Sequence, residues 1–347
     1  MAGHRNKRKR IALALQGGGA HGAFTWGVLD RLLEDERLVV DAISATSAGA
    51  MNAAVLADGF EKGGATGARE ALAHFWEAMA IAGTFNPYRT GTLNPLGPNS
   101  PLALWVDWLG QMFSPNQLNP YDINPLRDVL RKMIDFDCVR ACQKIRLYIS
   151  ATNVRTNGLR IFTAKELSVD VLLASACLPQ IYPAVEIDGE YYWDGGYMGN
   201  PVLEPLVDEC PDTADILIVQ INPIHRDDVP RTALDIANRV NEVSFNASLM
   251  REIRAIAGVT RLIDAGVVKD PRYRCVYFHR VAAEDVLKGF GVRSKLDTNP
   301  RFLSDLHELG RERAGRWRDE HFDDLGSRST LDLSAWRPTQ IQSTSRR

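Results

Sequence analysis

A five-residue apolar run, Ile11-Ala12-Leu13-Ala14-Leu15, gives way at Gln16 to Gly17-Gly18-Gly19-Ala20-His21-Gly22. A run that short and that continuous suits a strand covered on both faces, as in a parallel sheet, rather than an alternating surface strand. After Gly22, Phe24, Val28, Leu29 and Leu32 fall on one side of a helix predicted to reach about Arg37. Strand, glycine loop and helix in that order have two chemical readings. One is a dinucleotide site with a pyrophosphate on the helix N-terminus. The other is an oxyanion hole built from backbone N–H groups. The dinucleotide reading wants an acid at the far end of the next strand. Asp41 has roughly the right spacing but lies near that strand's beginning.

The second strand, predicted over about Val39 to Thr46, runs into Ser47-Ala48-Gly49 and a helix of small residues from Ala50 to about Ala57. Ala45-Thr46-Ser47-Ala48-Gly49 has the form of a nucleophile elbow, with alanine at the first small position. Such a turn exposes a serine hydroxyl from strained backbone and tolerates only small neighbours two before and two after it. The competing reading is a plain N-cap serine. Because a glycine-rich strand–helix turn precedes it so closely, the nucleophile reading is favoured. If the two strands are parallel neighbours, both turns share one carboxyl edge, and the N–H groups of Gly18, Gly19 and Ala48 converge on one oxygen. The helix dipole behind Ser47 favours an anion there. One such donor is worth about 2.7–4 kcal/mol of transition-state stabilisation.

Further strands are predicted at Leu147–Ala151, Ile216–Ile221 and Cys275–Phe278, separated by helical stretches near 124–133, 167–177 and 232–266. Alternation of this kind indicates an α/β fold with a mainly parallel central sheet flanked by helices and a helical C-terminal extension. The net charge of −2 argues against nucleic acid as a bulk electrostatic partner. Five cysteines without CxxC pairs fit reduced thiols, and no apolar run is long enough for a signal peptide core or a membrane span. The expected location is the cytoplasm, with peripheral contact at a membrane.

What base would serve Ser47? The serine arrives after too few strands for an α/β-hydrolase with its Ser…Asp/Glu…His order. His225, His279, His307 and His321 have no context that marks any of them as catalytic. Asp188-Gly189 reads as a hairpin turn, and the strand after it ends in Asp194-Gly195-Gly196. An aspartate there is either a turn residue or a carboxylate presented by a backbone free of bulk.

Taken together, the Gly17–Gly22 loop, Thr46-Ser47-Ala48-Gly49 and Asp194-Gly195-Gly196 resemble the three signature blocks of patatin-like phospholipases. Ala174-Ser175-Ala176-Cys177-Leu178-Pro179, Tyr182-Pro183, Asp188-Gly189 and Asn200-Pro201-Val202 extend the resemblance, which covers about residues 11–205. It implies a Ser47–Asp194 dyad without histidine, independent of calcium or any other metal or cofactor, cleaving acyl esters of phospholipids or other lipids. Ala20, His21, Gly22, Ala45 and Gly49 support the motifs. Two positions depart from the family pattern: Ala45 replaces a glycine, and His21 stands where Arg or Lys is common.

The remaining expectations concern organisation. Residues 1–10 form a basic tail, 11–205 the catalytic domain, 206–326 its α/β continuation, and 327–347 a disordered tail. An insertion over 84–122 contains Trp105, Trp108, Leu109 and Met112 on a short amphipathic segment. It suits either a lipid-contacting lid or a cover over the core or a dimer contact. The sequence leaves the oligomeric state open. Two other functions stay in view: a nucleotide-binding oxidoreductase, and a lipid-binding protein of weak catalysis.

Overall fold

A computed structural model describes residues 8–83, 114–119 and 123–332. Trp105, Trp108, Leu109 and Met112 lie outside the described residues, as do 1–7 and 333–347.

Strand β1, Lys9–Leu15, is central, and its alternation divides the core. Ile11, Leu13 and Leu15 point to one face, Ala12 and Ala14 to the other, and all five are fully buried. The first face packs on helices α1 (Gly22–Leu32), α2 (Ala48–Ala82) and α6 (Pro300–His321) through Phe24, Leu56, Phe75 and Leu306. The small alanines on the second face leave room for Leu249, Ile253 and Ala257 of the long helix α5 (Ala233–Asp264). The other labelled helices are α3 (Pro125–Met133) and α4 (Val169–Ser175).

Strands β2 (Leu38–Ala45), β3 (Arg146–Asn153), β7 (Asp215–Gln220) and β8 (Tyr277–Ala282) run parallel with β1 in the order β3-β2-β1-β7-β8. β4 (Leu159–Thr163) and β6 (Glu190–Asp194) pair antiparallel with β3, and β5 (Val185–Ile187) closes a hairpin on β6. Asp188 and Gly189 make its two-residue turn at positive φ, 52° and 78°. Residues 206–326 therefore contribute two strands to the sheet that holds β1. The chain steps from β1 outward to β3, then returns to the other side of β1 as β7. Ligands in open α/β sheets bind at such a switch point, outside the carboxyl ends.

Several predicted boundaries move. Helix α1 stops at Leu32, because the chain turns through Asp35 to begin β2. Helix α2 starts at Ala48 and continues far past Ala57, with a break at Gly63 and Gly64. Strand β8 lies further along than the apolar pattern suggested, since its polar His279 is buried against Asp215 across the sheet. Lys9 and Arg10 belong to β1 rather than a loose tail, and Lys9 Nζ donates to the carbonyls of Phe322 and Leu325. Residues 327–332 are likewise held: Phe278 N–H donates to Ser329 Oγ, and the Phe278 carbonyl accepts from Thr330 and Leu331. Among the described residues no helix is long and apolar enough to cross a membrane, and all five cysteines are unbridged.

Candidate active site

Register alone brings the predicted serine and aspartate to one level. Leu15 pairs with Ala45, and Ala45 with Ile149. Two residues further along β3, Ala151 lies opposite Asp194, while two residues beyond Ala45 is Ser47. Strand β6 runs antiparallel and enters beyond the end of β3, with Tyr192 opposite Asn153, so it stops at Asp194 while still close to the edge where the parallel strands end.

Ser47 itself is at φ 55°, ψ −123°, a conformation costly for any residue with a Cβ. Surrounding contacts impose it. The Ser47 N–H donates to Ser175 Oγ at the end of α4 (2.9 Å), and Thr46 Oγ1 bonds both Ser150 Oγ (2.6 Å) and the Gly199 carbonyl (2.9 Å). Gly49 is required by close approach, since a Cβ there would stand 2.4 Å from the Leu15 carbonyl oxygen. Ala45 is fully buried as the last residue of β2, and its methyl group is part of the core. The elbow geometry thus forms with alanine at that position.

The glycine loop is clamped by carboxamides. Gln16 Oε1 accepts from the N–H groups of Ile221 and Asn222 (both 3.0 Å), and its Nε2 donates to Asn200 O and Asn246 Oδ1. Gly17 N–H is consumed by Asn200 Oδ1 at 2.6 Å, and Asn222 Nδ2 donates to the Gly17 carbonyl, also at 2.6 Å. Gly18 caps, and Gly19 begins, the short 3-10 turn Gly19–His21, with Gly19 at φ 61°. N–H groups in those positions have no intrahelical carbonyl to meet, and the same holds for Ala48 as the first residue of α2. Ala20 is buried, and Gly22 opens α1 against Ala48 and Trp76. His21 is buried with Nε2 2.7 Å from Ser294 Oγ, between Phe290 and Phe302. Burial, with the nearby charges of Lys295 and Arg226, pushes its imidazole down to about 3, so the ring is neutral at ordinary pH.

Asp194 is 1% exposed. Its Oδ1 accepts from Gly196 N–H at 2.7 Å, while its own N–H and carbonyl are bonded to Cys177 O and Thr152 Oγ1. Burial pushes the carboxyl up to about 7, against the opposing pull of Gly196 N–H, the Ser47 hydroxyl and the Lys295 charge. Gly195 and Gly196 are buried in the 3-10 turn that follows, with Gly196 against the Phe245 ring. A carboxylate that titrates near neutrality beside a strained serine is equipped to accept a proton from it.

Other sequence candidates are engaged elsewhere. His279 bonds Asp215 and Thr330, His307 lies over Trp26, and His321 bonds Asp324. Asp41 holds Arg10, Arg146 and Thr213, which leaves it no part in a nucleotide site. Sequence reasoning missed Gln16, Asn200, Asn222, Ser175 and Lys295. Of these, Ser175 and Asn200 lay inside the family-like run and carried a local signal.

Architecture and switch-point crevice together define the class: an open, mostly parallel α/β protein with its polar groups gathered at the carboxyl edge. Within that class, the family model for patatin-like phospholipases matches residues 13–207, more than half of the chain, and the chain belongs to that family of lipid acyl hydrolases. Among solved structures, VipD from Legionella pneumophila is similar at 15% identity and a TM-score of 0.39, with 91% of this chain and 67% of that chain covered. No curated protein gives a significant match.

Proposed function

We propose that this chain hydrolyses carboxylic esters of phospholipids or related lipids, with Ser47 as nucleophile and Asp194 as its base. The observation that carries this reading is a buried carboxylate, raised to about 7, opposite a serine at φ 55°. In the first half-reaction Asp194 takes the Ser47 proton as Oγ adds to the ester carbonyl carbon. The N–H groups of Gly18, Gly19 and Ala48 hold the resulting oxyanion. Collapse breaks the ester C–O bond, and Asp194 returns the proton to the departing alcohol. Water then gives a proton to Asp194 and attacks the acyl-serine, releasing a carboxylic acid and restoring the hydroxyl. Each of these steps balances without a metal or a cofactor.

Lipid is the proposed substrate and partner, met at a membrane surface by a cytoplasmic protein. We also propose a single catalytic domain over 11–326, since β7 and β8 share the sheet of β1. A binding protein without catalysis is the second reading; the strained Ser47 weighs against it, because nothing in passive binding calls for that conformation. The test is a fluorophosphonate probe followed by peptide mapping, run beside fatty-acid release from phospholipid vesicles. Labelling at Ser47 and loss of release in Ser47→Ala are expected. Full release by Ser47→Ala would sink the assignment.

A further inference from the structure

Asp194 must be ionised to act as a base in a dry site, and an ammonium group bears on it from far along the chain. Lys295 lies in the 3-10 turn Val292–Leu296, well beyond the family-matched residues 13–207. That turn packs directly on the glycine loop. A Cβ on Gly19 would stand 2.2 Å from the Lys295 carbonyl oxygen, and the neighbouring Ser294 holds His21. The Lys295 side chain is only partly exposed. Its Nζ donates to Asn222 Oδ1 at 3.1 Å, and Asn222 Nδ2 donates in turn to the Gly17 carbonyl at 2.6 Å. One end of this relay is a cation; the other is the loop whose next two N–H groups face the proposed oxyanion.

We propose that Lys295 is a positioning residue of the Ser47–Asp194 site, orienting Asn222 against Gly17 and favouring the carboxylate form of Asp194 by its charge. This inference rests on the reading of Asp194 as the base. The groups around the ammonium are few. Glu242 of α5 faces it as an anion but is already shared by Arg226 (2.5 Å) and Arg239 (3.2 Å). Arg226, ahead of α5, faces it as a cation, and His21 on the loop is neutral. Asp194 is the other anion in range. Burial lowers the Lys295 ammonium, while Glu242 and Asp194 pull it back up. Around Asp194 stand Ser47, the Gly196 N–H and Lys295, with the phenol of Tyr197 sensing its charge. A nearby opposite charge favours ionisation, so its removal moves the acid upward.

The experiment is the pH dependence of kcat/KM for a soluble p-nitrophenyl acyl ester, measured on the full chain and on Lys295→Gln, Lys295→Met, Lys295→Arg and Asp194→Asn. Glutamine removes the charge and offers Asn222 a neutral N–H donor in place of the ammonium. The acidic limb should move up by roughly one pH unit in the Gln and Met variants. Their loss at pH 6 should then be about tenfold greater than at pH 9, and arginine should restore the limb. If Lys295→Gln folds and titrates like the parent, or is lowered equally at every pH, the proposal is overturned while the dyad stands. If Asp194→Asn keeps full turnover, the dyad reading itself fails and takes this inference with it.

Discussion

The Asn200 carboxamide grips the Gly17 peptide on both sides, accepting its N–H at 2.6 Å and donating to its carbonyl at 3.4 Å. Gly17 also lies so near Ser47 that a Cβ on it would stand 2.5 Å from the serine Cβ. The glycine loop is therefore anchored by a residue that follows Asp194 and abuts the residue Asp194 is proposed to serve. Three separated segments become one rigid edge, which is the condition for donors that need no rearrangement during reaction.

Asn200→Ala removes that grip. The buried Gly17 N–H loses its acceptor, which costs about 1–3 kcal/mol of stability. Esterase kcat should fall by roughly 10–100-fold with a smaller change in KM, as expected of a donor array that has drifted. Chemical denaturation and steady-state kinetics check both arms.

At Ser47 the strain separates two variants that the proposed role makes inactive. Ser47→Ala keeps a Cβ at φ 55°, whereas Ser47→Gly relieves it. The glycine variant should be the more stable of the two by about 1 kcal/mol, visible in urea midpoints.

Asp194 sets a pH signature in stability. Its carboxyl rises from the ordinary 3.8 to about 7 in the folded chain, so folding binds a proton there. The stabilisation is complete below about pH 3.8 and is lost as pH climbs through the folded value near 7. Asp194→Asn should then be more stable than the parent at pH 8, by on the order of 2–4 kcal/mol, with the gap closing toward pH 4. Denaturation curves at the two pH values measure it, and an equal gap at both would contradict the burial argument.

Ala45 tests the departure from the family pattern. Its methyl group is fully buried in the core at the end of β2, while the serine conformation is already in place. Ala45→Gly should leave turnover within about twofold and cost roughly 1 kcal/mol through added chain entropy and lost packing. A large gain in rate would show that alanine hinders the elbow.

The strand–loop–helix at Gly17–Gly22, the turn at Ser47 and the Asp188-Gly189 hairpin could all be read from sequence, because each depends on a few adjacent residues and on glycine or a short polar side chain. The mostly parallel sheet followed from the alternation of apolar runs with helical periods. Helix α6 was not among the predicted helices, although Asn299 caps it and Pro300 occupies its first position.

What the chain alone could not decide is which distant groups meet. Residues 327–332 look like a polar tail until Phe278 takes their hydrogen bonds, and Lys295 is an ordinary lysine until its turn packs on Gly19. The sequence determined the local conformations that present Ser47, the glycine loop and Asp194, since backbone sterics act within a few residues. Only the tertiary structure set strand order, register and burial. Those long-range terms bring Asp194 level with Ser47 and raise its carboxyl to about 7.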